Sequence, residues 1–130
     1  MIKNLTVKVD LTGVVVKGNS IGGKMGSPTI NLAGQFDIEY GVYACTVYAR
    51  GGRFLGAMHF GPRVTLGENE PVLEVRLLDF SGDLYGETVR VEVYNKIRDV
   101  KKFADLSKLK ERIEKDIAFI RKHYDQISEE

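Results

Sequence analysis

Thr29 and Asn31 follow Pro28 in the segment Pro-Thr-Ile-Asn. Proline favours an extended chain, and side chains two residues apart in a strand point to the same face. A hydroxyl and an amide carbonyl side by side are hard oxygen ligands of the kind that Mg²⁺ takes, usually together with substrate phosphates. The pair therefore predicts a divalent-cation site, and the competing interpretation is two solvated polar residues on one strand face.

The segment just before this pair is rich in glycine. Residues 18–24 begin like a phosphate-binding P-loop, but Met25 stands where that motif needs a serine or threonine, and Pro28 leaves little room for the helix that should follow. Glycine lets backbone N–H groups approach phosphate oxygens closely, so the segment is either a phosphate site of another kind or a plain hairpin connection. Its candidate phosphate-binding residues are Gly18, Gly22, Gly23, Lys24 and Gly26.

Glu74 is a carboxylate inside an apolar, strand-like run, between Leu73 and Val75. A carboxylate held on a rigid strand near a phosphate site could accept a proton from an attacking hydroxyl, as a general base does. Glu74 shares its strand face with Arg76, so the alternative is a structural ion pair on the outside of the sheet. Both interpretations stay open from the residues alone.

The composition is that of an ordinary globular domain. Of the 130 residues, 43% are hydrophobic and 28% charged, and the formal net charge is +1, so neither nucleic acid nor a membrane is expected as the main partner. No apolar run resembles a signal peptide or a membrane span. The single cysteine, Cys45, fits a reducing compartment, and we expect it to be a small buried hydrophobe. We expect one cytoplasmic domain over residues 1–130, in which His59 and His123 are structural or surface residues.

Short runs with period-two alternation, separated by turn signals, predict strands that pair in an antiparallel sheet. After them, apolar residues at spacings of three and four predict one amphipathic helix, with Asp105 as its N-cap. The expected architecture is a mainly β antiparallel barrel over about residues 1–104 with a C-terminal helix over about residues 105–127. The strand runs are 5–11, 14–16, 29–32, 42–49, 54–60, 72–78 and 88–94, and the helix stripe is Leu106, Leu109, Ile113, Ile117, Ile120, Tyr124 and Ile127.

In their order and spacing, these pieces resemble the riboflavin kinase family over nearly the whole chain. Each motif alone is common, whereas the ordered set is specific. The motifs are G-x-V-V-x-G at Gly13–Gly18, P-T-x-N at Pro28–Asn31, G-V-Y-A at Gly41–Ala44, G-P-R-x-T at Gly61–Thr65, E-x-x-L-L-D-F at Glu74–Phe80, D-L-Y-G at Asp83–Gly86 and R-x-x-K-x-F at Arg98–Phe103.

The resemblance implies a six-stranded antiparallel Greek-key barrel that transfers the γ-phosphoryl of ATP to the 5′-hydroxyl of riboflavin, giving FMN and ADP. It also implies that Thr29 and Asn31 hold Mg²⁺, with Zn²⁺ or Mn²⁺ as alternatives, and that Glu74 is the base. The other implied contacts are those of the glycine loop and Lys24 with the phosphates, of Leu77, Asp79 and Tyr85 on the adenine side, and of Arg98, Lys101 and Phe103 in a flavin-side loop.

Two other functions stay open at this stage. A non-catalytic barrel that binds flavin or nucleotide would keep the fold without needing a base, and a plain interaction barrel would leave Thr29, Asn31 and Glu74 unexplained. The leading expectation is a monomeric kinase whose partners are riboflavin, FMN, ATP and ADP. Because residues 1–130 leave no segment for a second active site, we also expect the reaction to stop at FMN, without FAD synthesis.

Overall fold

The structure, a computed structural model, describes residues 7–17 and 28–124 of the chain. These residues form six strands and one long helix, with a short 3₁₀ turn after the fourth strand. No helix in this described part is long and apolar enough to cross a membrane. The elements are β1 Val9–Val16, β2 Thr29–Ala33, β3 Gly41–Ala49, β4 Gly52–Pro62, the 3₁₀ turn Val64–Leu66, β5 Pro71–Leu77, β6 Thr88–Arg98 and α1 Leu106–Tyr124.

The strands close into a barrel in the order β1-β2-β5-β4-β3-β6, and every neighbouring pair is antiparallel. β3, β4 and β5 follow one another both along the chain and in space, and β6 returns to lie beside β3. This is the Greek-key arrangement. The predicted six-stranded antiparallel barrel with a C-terminal helix is therefore confirmed.

Side chains alternate between the barrel interior and its outer face, as the period-two patterns require. The interior is one apolar cluster, in which Met58, Val75 and Leu77 are fully buried. Cys45 belongs to this cluster, and its complete burial raises the pKa of its thiol. The prediction that Cys45 is a small buried hydrophobe is confirmed.

Helix α1 covers part of the outer face of the barrel through a second apolar cluster. Ile120 and Tyr124 are buried there, and the Tyr124 ring stacks on the ring of Tyr94 with centroids 5.9 Å apart. At the other end, the Asp105 carboxylate accepts a backbone N–H of the first helical turn at 2.9 Å, which confirms it as the N-cap. Ile127, the last residue of the predicted stripe, lies outside the described residues.

The first half of the helix stripe has a different neighbour. Leu109 and Ile113 are only partly buried, and they line a cavity beside the barrel. Periodicity indicates which face of a helix is apolar but not what that face contacts. The same stripe therefore anchors the helix at its C-terminal half and forms a cavity wall at its N-terminal half.

Most strands differ from their predicted bounds by one or two residues at an end, and β1 and β6 differ by more. The runs 5–11 and 14–16 fall on one strand, β1, in the part of them that the structure describes. β6 continues through residues 95–98, because β3 keeps pairing with it as far as Val42 beyond a bulge. Cross-strand pairing thus overrides the weak apolar alternation of these residues. As a consequence, Arg98 lies at the end of a strand and not inside a loop.

Candidate functional site

Three strands place the candidate catalytic and metal-binding side chains next to one another. In the strand register, Asn31 of β2 and His59 of β4 pair with Glu74 of β5 from its two sides, and Thr29 pairs with Arg76. Pairing partners share one face of a sheet, and the residues between them belong to the interior cluster, so these side chains are on the outer face. We call Thr29, Asn31, Glu74 and Arg76 the Glu74 patch.

The Glu74 carboxylate is largely buried, with 16% of its side chain exposed. Burial raises its pKa above the usual glutamate value, and the positive charges of Arg63 and Arg76 partly offset this effect. Arg63 Nη1 lies 3.7 Å from Oε2, too far for a hydrogen bond. Oε2 is buried and accepts no hydrogen bond from the described residues, so it is an acceptor suited to a ligand.

Arg63 approaches this carboxylate from the segment after β4. Glu68 holds the Arg63 guanidinium through two hydrogen bonds, from Nε to Oε1 and from Nη2 to Oε2, each 2.9 Å long. Such a bidentate pair fixes the plane of the guanidinium. Arg76, which is 6% exposed, adds a second buried guanidinium whose pKa burial lowers. The two guanidinium groups are hydrogen-bond donors of the kind that phosphate oxygens accept.

Thr29 and Asn31 offer a hydroxyl and an amide carbonyl beside Glu74. Neutral oxygen ligands suit a hard cation that draws its charge compensation from phosphate oxygens. Within residues 7–17 and 28–124, no group of three or more His, Cys, Asp or Glu side chains is placed to hold a metal ion. A cation at this patch would therefore take most of its remaining ligands from substrate and water. The residues present fit a metal ion bound together with a nucleotide.

An apolar cavity adjoins the Glu74 patch. Its walls are the outer face of the barrel, the 3₁₀ turn, the segment after β6 and the first half of α1. Apolar side chains dominate the walls, and charged groups occur among them, as in sites for a ligand with one apolar and one polar part. The lining residues are Val42, Ala57, Met58, His59, Arg63, Val64, Thr65, Leu66, Glu74, Arg76, Arg98, Val100, Lys101, Phe103, Leu109, Ile113 and Asp116.

The three predicted flavin-side residues come together in this cavity. Arg98 Cζ and Lys101 Nζ each lie 5.7 Å from the centroid of the Phe103 ring. The backbone N–H of Phe103 donates to Thr65 Oγ1 at 3.1 Å, which ties the segment to the 3₁₀ turn. We call residues 99–105, which join β6 to α1, the strap.

The predicted nucleotide-binding residues are less close to one another. Tyr85 is exposed, and Lys17 Nζ lies 5.2 Å from its ring centroid. Asp79 accepts two hydrogen bonds from Arg121 of α1, at 2.9 and 3.1 Å, and Leu77 is fully buried in the barrel interior. These three residues thus lie in three different environments. The predicted phosphate-binding residues Gly18, Gly22, Gly23, Lys24 and Gly26 lie outside the described residues.

His59 lies beside Glu74, a position that the sequence did not predict. Its Nε2 lies 2.9 Å from the carbonyl oxygen of Gly61, and because a carbonyl only accepts, Nε2 carries the proton and donates it. Burial lowers the pKa of His59, so its ring is neutral near pH 7. The β4 pattern could place His59 on the outer face, but only the strand register shows that it faces Glu74.

Arg63 and Asp116 were also without a predicted role. Arg63 was part of the G-P-R-x-T motif, which was the one signal that could have marked it. Asp116 had no signal, because a charged residue on a helix is ordinarily solvated, whereas here only 4% of its surface is exposed.

A family model and several known proteins match this chain. The family model described as Flavokinase: Riboflavin kinase matches residues 5–124. The RNA-binding riboflavin kinase RibR of Bacillus subtilis strain 168 is 36% identical over 119 residues, which cover 90% of this chain and 52% of that protein. The bifunctional riboflavin kinase/FMN adenylyltransferase of Haemophilus influenzae is 42% identical over 108 residues, covering 81% of this chain and 35% of that protein. The chain thus spans about half or less of the length of these relatives.

Two solved structures share the fold. A crystal structure from Streptococcus pneumoniae, described as a macrolide-efflux protein, superimposes with a TM-score of 0.75 at 33% identity and covers 86% of this chain and 38% of that one. Riboflavin kinase from Trypanosoma brucei superimposes with a TM-score of 0.60 at 25% identity and covers 87% of this chain and 77% of that one. Together with the model match over residues 5–124, these findings show that the chain belongs to the riboflavin kinase (flavokinase) family.

Proposed function

We propose that this protein transfers the γ-phosphoryl group of ATP to the 5′-hydroxyl of riboflavin, giving FMN and ADP. The observation that carries the proposal is the position of Glu74. Its largely buried carboxylate, with one oxygen that accepts no hydrogen bond from the described residues, stands between Thr29 and Asn31 of β2 and an apolar cavity. Membership of the riboflavin kinase family supports the same reaction.

Glu74 acts in this proposal as the general base. Oε2 accepts the proton of the substrate hydroxyl as that oxygen attacks phosphorus. Burial raises the pKa of Glu74, which makes the ionised form a stronger base, and the charges of Arg63 and Arg76 partly offset the rise. Phosphoryl transfer needs little other covalent chemistry, so positioning and charge supply the rest.

Thr29 and Asn31 would hold Mg²⁺, or Zn²⁺ or Mn²⁺ in its place. When bound, such an ion neutralises charge on the nucleotide phosphates. Arg63 contributes positive charge to the same region, and Glu68 keeps its guanidinium in place. The role of Thr29 and Asn31 is to position oxygen atoms on a rigid strand next to the base.

The cavity beside Glu74 would take the flavin. Its apolar walls suit the ring system, and the polar groups nearer the Glu74 patch suit the hydroxylated chain that carries the reacting oxygen. Phe103, with Arg98 and Lys101 beside its ring, supplies an aromatic surface in the strap. On the nucleotide side, the roles of the glycine loop, Lys24, Leu77, Asp79 and Tyr85 stay predictions.

The main alternative is a barrel that binds flavin or nucleotide without turnover. Such a protein would not need a buried carboxylate with an oxygen that lacks a hydrogen-bond donor among the described residues, which costs stability. The Bacillus subtilis relative is described as RNA-binding, but a formal net charge of +1 gives this chain no electrostatic support for that role. The single-domain organisation, the monomeric state and the cytoplasmic location stay predictions.

The test is Glu74→Gln, which keeps the shape of the side chain and removes its basicity. The matched control is Glu92→Gln on β6, since Glu92 has a similar exposure, 17% against 16%, and is also an outward carboxylate beside an arginine. We expect Glu74→Gln to bind riboflavin and to form FMN more slowly by on the order of 10² to 10⁴. Glu92→Gln should match the wild type, and full activity in Glu74→Gln would reject Glu74 as the base.

A further inference from the structure

We propose that Asp116, on helix α1, is a positioning residue of the flavin-side cavity. Through Arg98 it fixes the strap, and with it Phe103, at the distance from the barrel that the flavin ring needs. This inference rests on the proposed function, because it assigns to Asp116 a part in binding the riboflavin substrate. The direct partner of the substrate is Phe103, and Asp116 acts on it through Arg98.

The Arg98–Asp116 contact is a fork-to-fork ion pair at the cavity wall. Arg98 Nε lies 3.0 Å from both carboxylate oxygens, and Nη2 donates to Oδ2 at 2.8 Å. Only 4% of the Asp116 side chain and 14% of the Arg98 side chain are exposed. A buried pair with this geometry holds both groups in one orientation, unlike an exposed pair on the surface.

Arg112 is the second cation near Asp116, but the geometry of its contact favours a hydrogen bond less than that of Arg98. Its Nε lies 3.3 Å from Oδ1, yet it makes no hydrogen bond to the described residues, because the group is poorly aligned. The Arg112 side chain is also 43% exposed. Arg98 is therefore the principal partner of Asp116, and the pair links the end of β6 to the middle of α1.

From Arg98, the contacts continue into the strap. Its Nη1 donates to the carbonyl oxygen of Asp99 at 3.2 Å, and its Cζ lies 5.7 Å from the centroid of the Phe103 ring. A guanidinium near an aromatic face is attracted to it, and the attraction strengthens where water is excluded. The backbone N–H of Phe103 donates to Thr65 Oγ1. The strap is thus fixed at its start by Arg98 and in its middle by Thr65.

These contacts change the role expected for Arg98. Each guanidinium nitrogen already donates to Asp116 or Asp99, and we therefore expect Arg98 to hold Phe103 in place in addition to any hydrogen bond it donates to the flavin. Removing its carboxylate partner should loosen the strap and leave the Glu74 patch on β2 and β5 unchanged. Binding of riboflavin should weaken while the chemical step keeps its rate.

The kinetic test is Asp116→Asn, which keeps the shape of the side chain and removes its charge. We expect KM for riboflavin to rise by about tenfold, with kcat and KM for ATP within about twofold of the wild type. The control is Asp10→Asn, which removes the carboxylate partner of another arginine, Arg90; neither residue lines the cavity. An unchanged KM for riboflavin in Asp116→Asn, or equal changes for both substrates, would overturn the proposal.

A second test measures riboflavin binding and strap order, and does not depend on catalysis. Quenching of riboflavin fluorescence on binding gives an affinity, and hydrogen exchange reports the order of the strap amides at residues 99–105. Asp116→Asn should weaken binding about tenfold and speed exchange in the strap, and the double variant Asp116→Asn/Arg98→Gln should be no worse than Arg98→Gln alone, because Asp116 acts through Arg98. Additive losses would contradict the proposal.

The two proposals fail in distinguishable ways. If the wild type binds riboflavin and makes no FMN, the proposed reaction fails while the binding and exchange experiments still decide the role of Asp116. If the wild type makes FMN and Asp116→Asn behaves like Asp10→Asn, only the role of Asp116 fails. Should Asp116→Asn not fold, Arg98→Lys, which keeps the charge opposite Asp116 and loses the fork, gives the same comparison.

Discussion

The Glu74 patch and the strap border the same cavity, yet different interactions hold them in place. The patch lies on β2 and β5 in the middle of a closed barrel, so the backbone ladder fixes where its side chains stand. The strap has no regular structure, and a few side-chain contacts from Arg98 and Thr65 fix it. Under the proposed function, the rigid strands would carry the chemistry and the strap would carry the binding of riboflavin.

The same division appears within helix α1. Ile120 and Tyr124 pack on the barrel, whereas Leu109, Ile113 and Asp116 border the cavity. One half of the helix therefore contributes to stability and the other to the site. Variants in the Glu74 patch, in the cavity wall and in the packed half of α1 should therefore separate effects on rate, affinity and stability.

Thr29→Ala and Asn31→Ala should each lower kcat by on the order of 10² and raise the Mg²⁺ concentration needed for half-maximal activity. The reason is that both oxygens would serve one cation at the rigid patch. The double variant should cost less than the sum of the two, because residues that act on one site are not additive. Activity titrated against Mg²⁺ measures this, and additive losses with an unchanged Mg²⁺ requirement would argue that the pair does not share a metal ion.

Ile120→Ala and Ile113→Ala should affect different properties. Ile120 is fully buried between helix and barrel, so its truncation should lower the free energy of unfolding by about 2 to 5 kcal/mol. Ile113 is partly buried in the cavity wall, and its truncation should raise KM for riboflavin with a smaller loss of stability. Urea unfolding and steady-state kinetics check the pair, and identical profiles for the two variants would remove the distinction between the halves of the helix.

The raised pKa of Glu74 predicts that stability and activity depend on pH in opposite directions. A carboxyl whose pKa is higher in the folded state favours folding when protonated, so its stabilising effect is complete below the usual glutamate pKa and is lost as pH rises through the raised value. The activity has the opposite dependence, because the base must be ionised. Glu74→Gln should therefore melt at a higher temperature than the wild type near neutral pH, and the difference should shrink toward about pH 4. Melting curves across this range measure it, and a lower melting temperature for Glu74→Gln at neutral pH would indicate a stabilising ion pair.

Asp79→Asn should give the smallest effect on stability. Asp79 and Arg121 form a pair that is largely exposed, and such pairs contribute at most about 1 kcal/mol. The KM for ATP of Asp79→Asn is a second measurement. A rise in that constant would support the nucleotide contact that the family resemblance implies, and an unchanged constant would leave Asp79 as a link between barrel and helix.

The sequence predicted the barrel and the helix because each depends on local periodicity, and it placed Thr29, Asn31 and Glu74 on strands for the same reason. It could not show that His59 faces Glu74 or that Arg63 lies 3.7 Å from it, since these follow from strand register and from the path of the segment after β4. No pattern in the sequence indicates the role inferred for Asp116. A buried aspartate on a helix has meaning only once its partner Arg98, 18 residues away, is known.

The central claim, that this protein phosphorylates riboflavin, is tested most directly by following the label from γ-phosphate-labelled ATP. Purified wild-type protein is incubated with riboflavin, labelled ATP and Mg²⁺, and the products are separated by chromatography. We expect labelled FMN and unlabelled ADP in equal amounts, growing with time and with protein concentration, and no labelled FMN when ATP or Mg²⁺ is omitted. Riboflavin that binds to the protein but is recovered unchanged, with the label still on ATP, would contradict the claim and favour a binding barrel without turnover.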